Sequence, residues 1–197
     1  MSMRLHAKGF TLIELMVTLA VLAVLLVAAV PSFMEFRQRT VLEGAAEQLV
    51  STWSDARFEA LRRDRNLFVT LRNDSGNVCI GVDTTDACDC RLASTAAGAC
   101  DVSAYPGDNA TLSGVTAIGM PTLGPDDTDA IGVAVIDPKR GGLTATGDWG
   151  GIALKAPAGR MDYRLNFYVD IRGRGVVCEP ADAPNKIPRY TDRRCAL

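Results

Sequence analysis

The spacing of apolar and polar positions divides the chain into three stretches with different periods. From residue 10 to residue 30 nearly every position is apolar, and Glu14 is the only charged side chain among these 21 residues. A helix of that length, rising ~1.5 Å per residue, covers roughly 31 Å, about the hydrocarbon thickness of a bilayer. The pattern therefore predicts a transmembrane helix over 10–30. Beyond it the period becomes 3.6. Leu42, Ala45, Ala46, Leu49, Trp53, Ala56 and Ala60 recur at spacings of three and four, while Glu43, Glu47, Asp55, Glu59 and Arg63 face elsewhere. This is an amphipathic continuation of the helix over 31–64, with a stripe that packs on a sheet. Pro31 can kink it, because proline removes a donor and crowds the preceding turn. Gly44 loosens it locally.

From Leu67 the period changes to two. Leu67–Leu71 and Val78–Val82 flank the turn-forming run Asn73, Asp74, Ser75, Gly76, Asn77 and read as a hairpin. Residues 83–111 form a cysteine-laced loop. Later strands are predicted over 112–118, 131–136, 142–146, 152–156 and 161–171, separated by Gly, Pro and Asp clusters. In the last, Met161, Tyr163, Leu165, Phe167, Val169 and Ile171 alternate with Asp162, Arg164, Asn166, Tyr168 and Asp170, so one face is buried. A long amino-terminal helix followed by one antiparallel sheet in a head over 65–197 is an α+β architecture.

Arg4 and Lys8 precede the apolar run and favour keeping residues 1–9 in the cytoplasm while the remainder crosses. A secretory signal places a small-residue cleavage site after its apolar region, whereas here the conspicuous small residue, Gly9, comes before it. A carboxylate inside a membrane span costs roughly 2.5–3.5 kcal/mol on insertion scales, so Glu14 requires a partner or a purpose. It is the leading functional residue.

Cysteines stand at 79, 88, 90, 100, 178 and 195, an even number in a domain sent to an oxidising compartment, which points to disulfides. Cys178 and Cys195 lie apart from the rest and would close a 17-residue loop, stabilising by ~3 kcal/mol in the loop-entropy treatment. Cys79, Cys88, Cys90 and Cys100 allow three connectivities, of which Cys88 with Cys90 is the least favourable because one intervening residue strains the ring. Zinc is the competing reading, and it lacks paired C-x-x-C knuckles. Asp83, Asp86 and Asp89, like Asp126, Asp127 and Asp129, read as solvated loop acids, since neither cluster has an EF-hand pattern. No cofactor or metal is expected.

The net charge of −2 becomes −4 if residues 1–9 leave, which argues against indiscriminate nucleic-acid binding. The only histidine, His6, would leave with them, and with it any histidine base, Ser-His-Asp triad or His-ligated metal, so an enzyme is not expected. The end of the chain is locally different. Arg172, Arg174, Lys186, Arg189, Arg193 and Arg194 exceed Glu179, Asp182, Asp192 and the terminal carboxylate by two charges. Such a tail can contact phosphates without reading sequence, with Tyr190 stacking on a base, or it can be a solvated segment that completes the fold. Trp53 and Trp149 read as packing residues.

The run Lys8, Gly9, Phe10, Thr11, Leu12, Ile13, Glu14, Leu15 resembles the class III signal of type IV pilins and type II secretion pseudopilins. The resemblance implies that prepilin peptidase in the inner membrane cuts after Gly9 and methylates the amine of Phe10. It also implies that Glu14 pairs with the Phe10 amine of a neighbouring subunit as helices pack in a filament. The partners implied are other pilins or pseudopilins, the peptidase and the inner membrane, with a periplasmic head. Ala56, Arg57, Phe58, Glu59, Ala60 is similar to the ARxEA-type helix end of FimT-type minor pilins and GspH-type pseudopilins. Gly173, Arg174, Gly175, Val176, Val177, Cys178 is similar to the GRxR…C segment of FimT-type proteins. Family members that bind DNA use both arginines of that motif, and Val176 stands here in the place of the second. DNA contact, implied without sequence specificity, would fall to Arg172, Arg174, Arg189, Arg193 and Arg194. The expected protein is a minor pilin with a pilin-like α+β fold that joins or primes a type IV pilus. A type II secretion pseudopilin and a DNA-binding tip adhesin are the alternatives.

Overall fold

The computed structural model describes residues 10–108, 110–118, 131–144, 150–170, 172–192 and 195. The chain divides into two compact units, Met1–Arg37 and Gln38–Leu197. Helix α1, Leu12–Arg63, contributes to both and runs through Pro31 without a break.

In the first unit α1 is apolar on all sides and its side chains are exposed: Leu12, Val24 and Val27 are 77, 71 and 77% accessible. Among the described residues it is the one helix long and apolar enough to cross a membrane.

In the second unit the expected stripe is the core face of α1. Leu42, Ala45, Ala46, Leu49, Trp53, Ala56 and Ala60 are all at most 6% exposed. They pack in one cluster with residues of two antiparallel sheets, rather than the single sheet the strand pattern suggested. The first sheet contains β1 (Leu67–Asp74), β2 (Asn77–Asp83), β3 (Ser103–Tyr105) and β5 (Ile131–Ile136) in the order β3-β2-β1-β5. The second contains β4 (Thr116–Ile118), β6 (Gly151–Lys155), β7 (Arg164–Val169) and β8 (Gly175–Cys178) in the order β4-β6-β7-β8. Leu67, Val69 and Leu71 of β1, Ile80 and Val82 of β2, Ile152 and Leu154 of β6, and Leu165, Phe167 and Val169 of β7 alternate inward. Two half-buried sheets closing on one amphipathic helix satisfy all three apolar faces at once.

The β1–β2 hairpin is tighter than the sequence suggests, because pairing continues to Asp74 opposite Asn77. Ser75 and Gly76 both take positive φ, 52° and 91°, as a two-residue primed turn demands. The Asn73 side chain accepts the Gly76 N–H at 2.9 Å. The segment 142–146 is not a strand over its described part: Leu143 makes only an isolated bridge to Ile136. β3 and β8 escaped the pattern; each has four residues or fewer, too short for alternation to register. β7 is shorter than 161–171, with Tyr163 in an isolated bridge to Asn185 and Ile171 outside the described residues.

Candidate functional site

The first-turn geometry of α1 follows from Thr11. Its side chain accepts the Glu14 N–H at 3.3 Å, so Thr11 is the N-cap and Glu14 occupies the third helical position. Thr11-x-x-Glu14 is thus a capping-box sequence, a signal that neither the apolarity of the run nor the class III resemblance brings out. The placement puts a carboxylate where the unpaired N–H groups of the helix start give a partial positive charge. It also sets that carboxylate in the turn that begins two residues after Phe10, which is 86% exposed. Gly9 lies outside the described residues.

Among the described residues, the carboxy-terminal basic region is anchored and largely ion-paired. Asp170 organises the β7–β8 turn: its Oδ1 accepts the N–H groups of Arg172 and Arg174, both at 2.9 Å. Its Oδ2 takes the Arg174 guanidinium at 2.8 Å. Burial pushes the Asp170 pKa up, but the hydrogen bonds from Arg174 and Arg172 outweigh it and leave the carboxyl below its ordinary range. Gly173 at φ 71° closes the turn, and its carbonyl accepts Trp53 Nε1 at 2.9 Å, tying this turn to the core face of α1. Arg189 lies 2.7 Å from Glu47 and 3.8 Å from Glu43 of α1. Lys186 is 3.6 Å from buried Glu179, whose other oxygen accepts the Ile187 N–H at 2.7 Å.

Two expectations change accordingly. Tyr190 does not present a ring for base stacking: it is 2% exposed, packs in the core cluster and donates its hydroxyl to Glu47 at 3.2 Å. Burial, first of all, raises its pKa. The tail is also not a free basic arm, since Arg174, Lys186 and Arg189 each face a carboxylate. Arg172 is exposed beside them, and Arg193 and Arg194 lie outside the described residues.

The structure pairs Cys178 with Cys195, Cys79 with Cys90, and Cys88 with Cys100. The last two bridges form a small buried cluster on the outer face of the first sheet, where Thr70 accepts the Cys88 N–H at 3.1 Å. Gly81 beneath them is the only residue type that fits, because a Cβ there would lie 2.2 Å from the Cys100 sulfur. Asp83 and Asp89 of this loop are structural rather than solvated, whereas Asp86 is exposed as expected. Asp83 is 7% exposed and accepts the N–H groups of Thr85 and Asp101 at 2.8 and 3.1 Å. Asp89 bonds Arg91 at 2.9 Å and lies 3.3 Å from Arg72; above all the Arg91 hydrogen bond lowers its pKa to about 2. Among the described residues no group of three metal-ligating side chains occurs. Asp126, Asp127, Asp129 and Trp149 lie outside them.

In the ARxEA-type segment each residue has a distinct place. Ala56 and Ala60 are buried; Arg57 donates to the Gly141 carbonyl. Glu59 receives Arg62 and Arg63 at 2.5 Å each, which lower its pKa to about 2. Phe58 is 67% exposed.

Residues 4–30 match the prokaryotic N-terminal methylation motif. That match, together with a long apolar amino-terminal helix and antiparallel sheets carrying disulfides, supports a type IV pilin-like protein and a substrate of prepilin peptidase. No curated protein and no solved structure matches the chain significantly.

Proposed function

We propose that the chain is a class III prepilin whose mature form is a minor pilin that joins or primes a type IV pilus. Prepilin peptidase cuts between Gly9 and Phe10 and methylates the Phe10 amine. The mature subunit waits in the inner membrane as a single-pass protein, with its head in the periplasm, and assembles with other pilins through α1. One observation carries this reading: a single carboxylate, Glu14, sits in the first turn of α1, within an exposed apolar stretch over 12–30 that is otherwise uncharged and lies inside a methylation motif. An unpaired carboxylate among packed apolar helices is strongly disfavoured, whereas one paired with the ammonium of a neighbour is tolerated. The disulfide-bearing head and the GRxxxC segment favour a pilus over a secretion pseudopilus. A DNA contact would rest on the exposed guanidinium groups of Arg172, Arg174 and Arg189 among the described residues, the last two already beside Asp170 and Glu47, and not on Tyr190, which is buried.

Two variants test the proposal. Gly9→Val is expected to remain at precursor size in a host with prepilin peptidase; a mature-size band would refute the cleavage site. Glu14→Ala is expected to be cut and inserted normally but to be depleted from sheared filaments. Undiminished incorporation would remove Glu14 from its role, and incorporation only into secretion pseudopili would establish the alternative.

A further inference from the structure

The loop that joins β6 to β7 is clamped onto α1 where the second unit begins. The Gln38 side chain, 8% exposed, donates to the Pro157 carbonyl at 2.9 Å. Gly159 permits this approach, because a Cβ there would lie 1.7 Å from the Gln38 amide nitrogen and displace it. At the other end of the loop Tyr163 is buried, and the Arg39 guanidinium lies over its ring, 5.8 Å from the centroid. Consecutive positions of α1, 38 and 39, thus hold both ends of the loop, and exposed Arg160 lies between them. The acids beside the loop are already taken: Asp162 by Arg164 and Lys155 at 2.6 and 3.5 Å, and Asp182 by Arg164 at 3.7 Å. Among the described residues Arg39, Arg160 and exposed Arg37 have no ion pair, and the buried Nε of Arg39 has no acceptor.

The stretch of chain between this loop and the apolar run is short. Gln38 stands eight positions after Val30 on one continuous helix, a rise of about 12 Å. The headgroup layer takes up roughly 5–7 Å on each side of the hydrocarbon, which leaves about 5–7 Å. That is less than the Debye length of ~8 Å at physiological ionic strength. Exposed apolar side chains occupy the intervening positions, with Phe33, Met34 and Phe36 at 67, 57 and 58%. Arg37 and Arg39 equal in number Arg4 and Lys8 at the opposite end of the apolar run, so they weaken the charge bias that orients a span. Glu35 is the one acid between Val30 and Leu42, and the excess of charge, with Arg160, stays positive.

We propose that the β6–β7 loop over 157–163, through Arg39 and Arg160, binds the phosphate groups of anionic phospholipid in the membrane that α1 spans. The inference rests on the membrane-anchored reading above. Guanidinium groups present paired N–H donors to phosphate oxygens, and basic residues next to a span are drawn to anionic lipid within about a Debye length. The contact holds the loop at the headgroups while the subunit waits in the membrane, and it is lost when the helix leaves for a filament. Exposed Arg140 provides the contrast. Its neighbour Gly141 meets Arg57, 19 positions beyond Gln38 on α1, a rise of about 28 Å that takes it out of the same field.

The test uses the full chain reconstituted in vesicles of equal parts phosphatidylcholine and phosphatidylglycerol, with a photoreactive benzoylphenylalanine in place of exposed Ala158. Mass spectrometry of the lipid adducts reads the preference. The expected ratio of phosphatidylglycerol to phosphatidylcholine adducts exceeds one and falls about fivefold in Arg160→Gln. It is kept in Arg160→Lys and in Arg140→Gln, and it is abolished by high salt. A ratio of one, a ratio that Arg160→Gln leaves unchanged, or one that Arg140→Gln lowers equally overturns the proposal. Flotation of the chain with the vesicles separates the outcomes. A chain that does not float overturns the spanning reading and this inference with it, whereas a floating chain without the lipid preference overturns the loop contact alone.

Discussion

Residues 12–36 and 42–60 belong to one helix, yet they resolve the same problem in opposite ways. In the first stretch apolar side chains point in every direction and stay exposed, Leu12 and Leu22 at 77 and 51%. In the second they are confined to a stripe that two sheets cover, and Leu42, Leu49 and Trp53 are inaccessible. A helix that is apolar all round is stable only inside an apolar surrounding, whereas an amphipathic one needs a single partner face. Helical geometry is common to both; what differs is where the missing surroundings come from. The head carries its own, and the amino-terminal stretch must find them in lipid or in other helices.

The sharpest way to break this contrast is to cut at both ends of it. Trp53→Ala should destabilise the head by about 3–5 kcal/mol, because a fully buried indole leaves a cavity and orphans the Gly173 carbonyl. Leu22→Ala should leave head stability within about 0.5 kcal/mol of the parent, as expected for an exposed site in the other compact unit. Chemical denaturation of head fluorescence reads both, and equal losses would erase the distinction. Replacing Cys178 and Cys195 together by serine should cost about 3 kcal/mol, since their loop spans 17 residues. Thr11→Ala should fray the first turn of α1 by about 1 kcal/mol and spare the head, seen as faster exchange of the Glu14 amide in micelles.

The smallest effect concerns acid. Asp89 is held at a pKa of about 2, chiefly by Arg91, so its folded value lies below its unfolded one. Its contribution is complete above the unfolded carboxylate range near ~3.9 and is lost as pH falls through about 2. Asp89→Asn should therefore flatten the fall in head stability between roughly pH 4 and pH 2. An unchanged slope would show that the ion pairs with Arg91 and Arg72 contribute nothing measurable.

Much of this organisation was legible in the sequence, for physical reasons that differ by region. The apolar run and the stripe on α1 are long and strictly periodic, so burial follows directly from spacing. β7 was legible because Leu165, Phe167 and Val169 alternate with polar residues. The division into two sheets was not, since period two gives the faces of a strand but not its neighbours. β3 and β8 were too short to show a period. The ion pairs of the basic tail were not legible for another reason: counting charges along the chain misses that Glu43 and Glu47, more than 140 positions earlier, lie opposite Arg189. Tyr190 likewise follows Arg189 in sequence while its ring faces the core.

The central claim is that Gly9 and Phe10 bracket a processing site that frees an amine near Glu14. The intact mass and amino-terminal sequence of the chain recovered from membranes of a host with prepilin peptidase test it most directly. The expected mature protein begins with N-methylated Phe10 and retains the apolar helix. A chain that still begins at Met1, or one cut beyond residue 30, would contradict it.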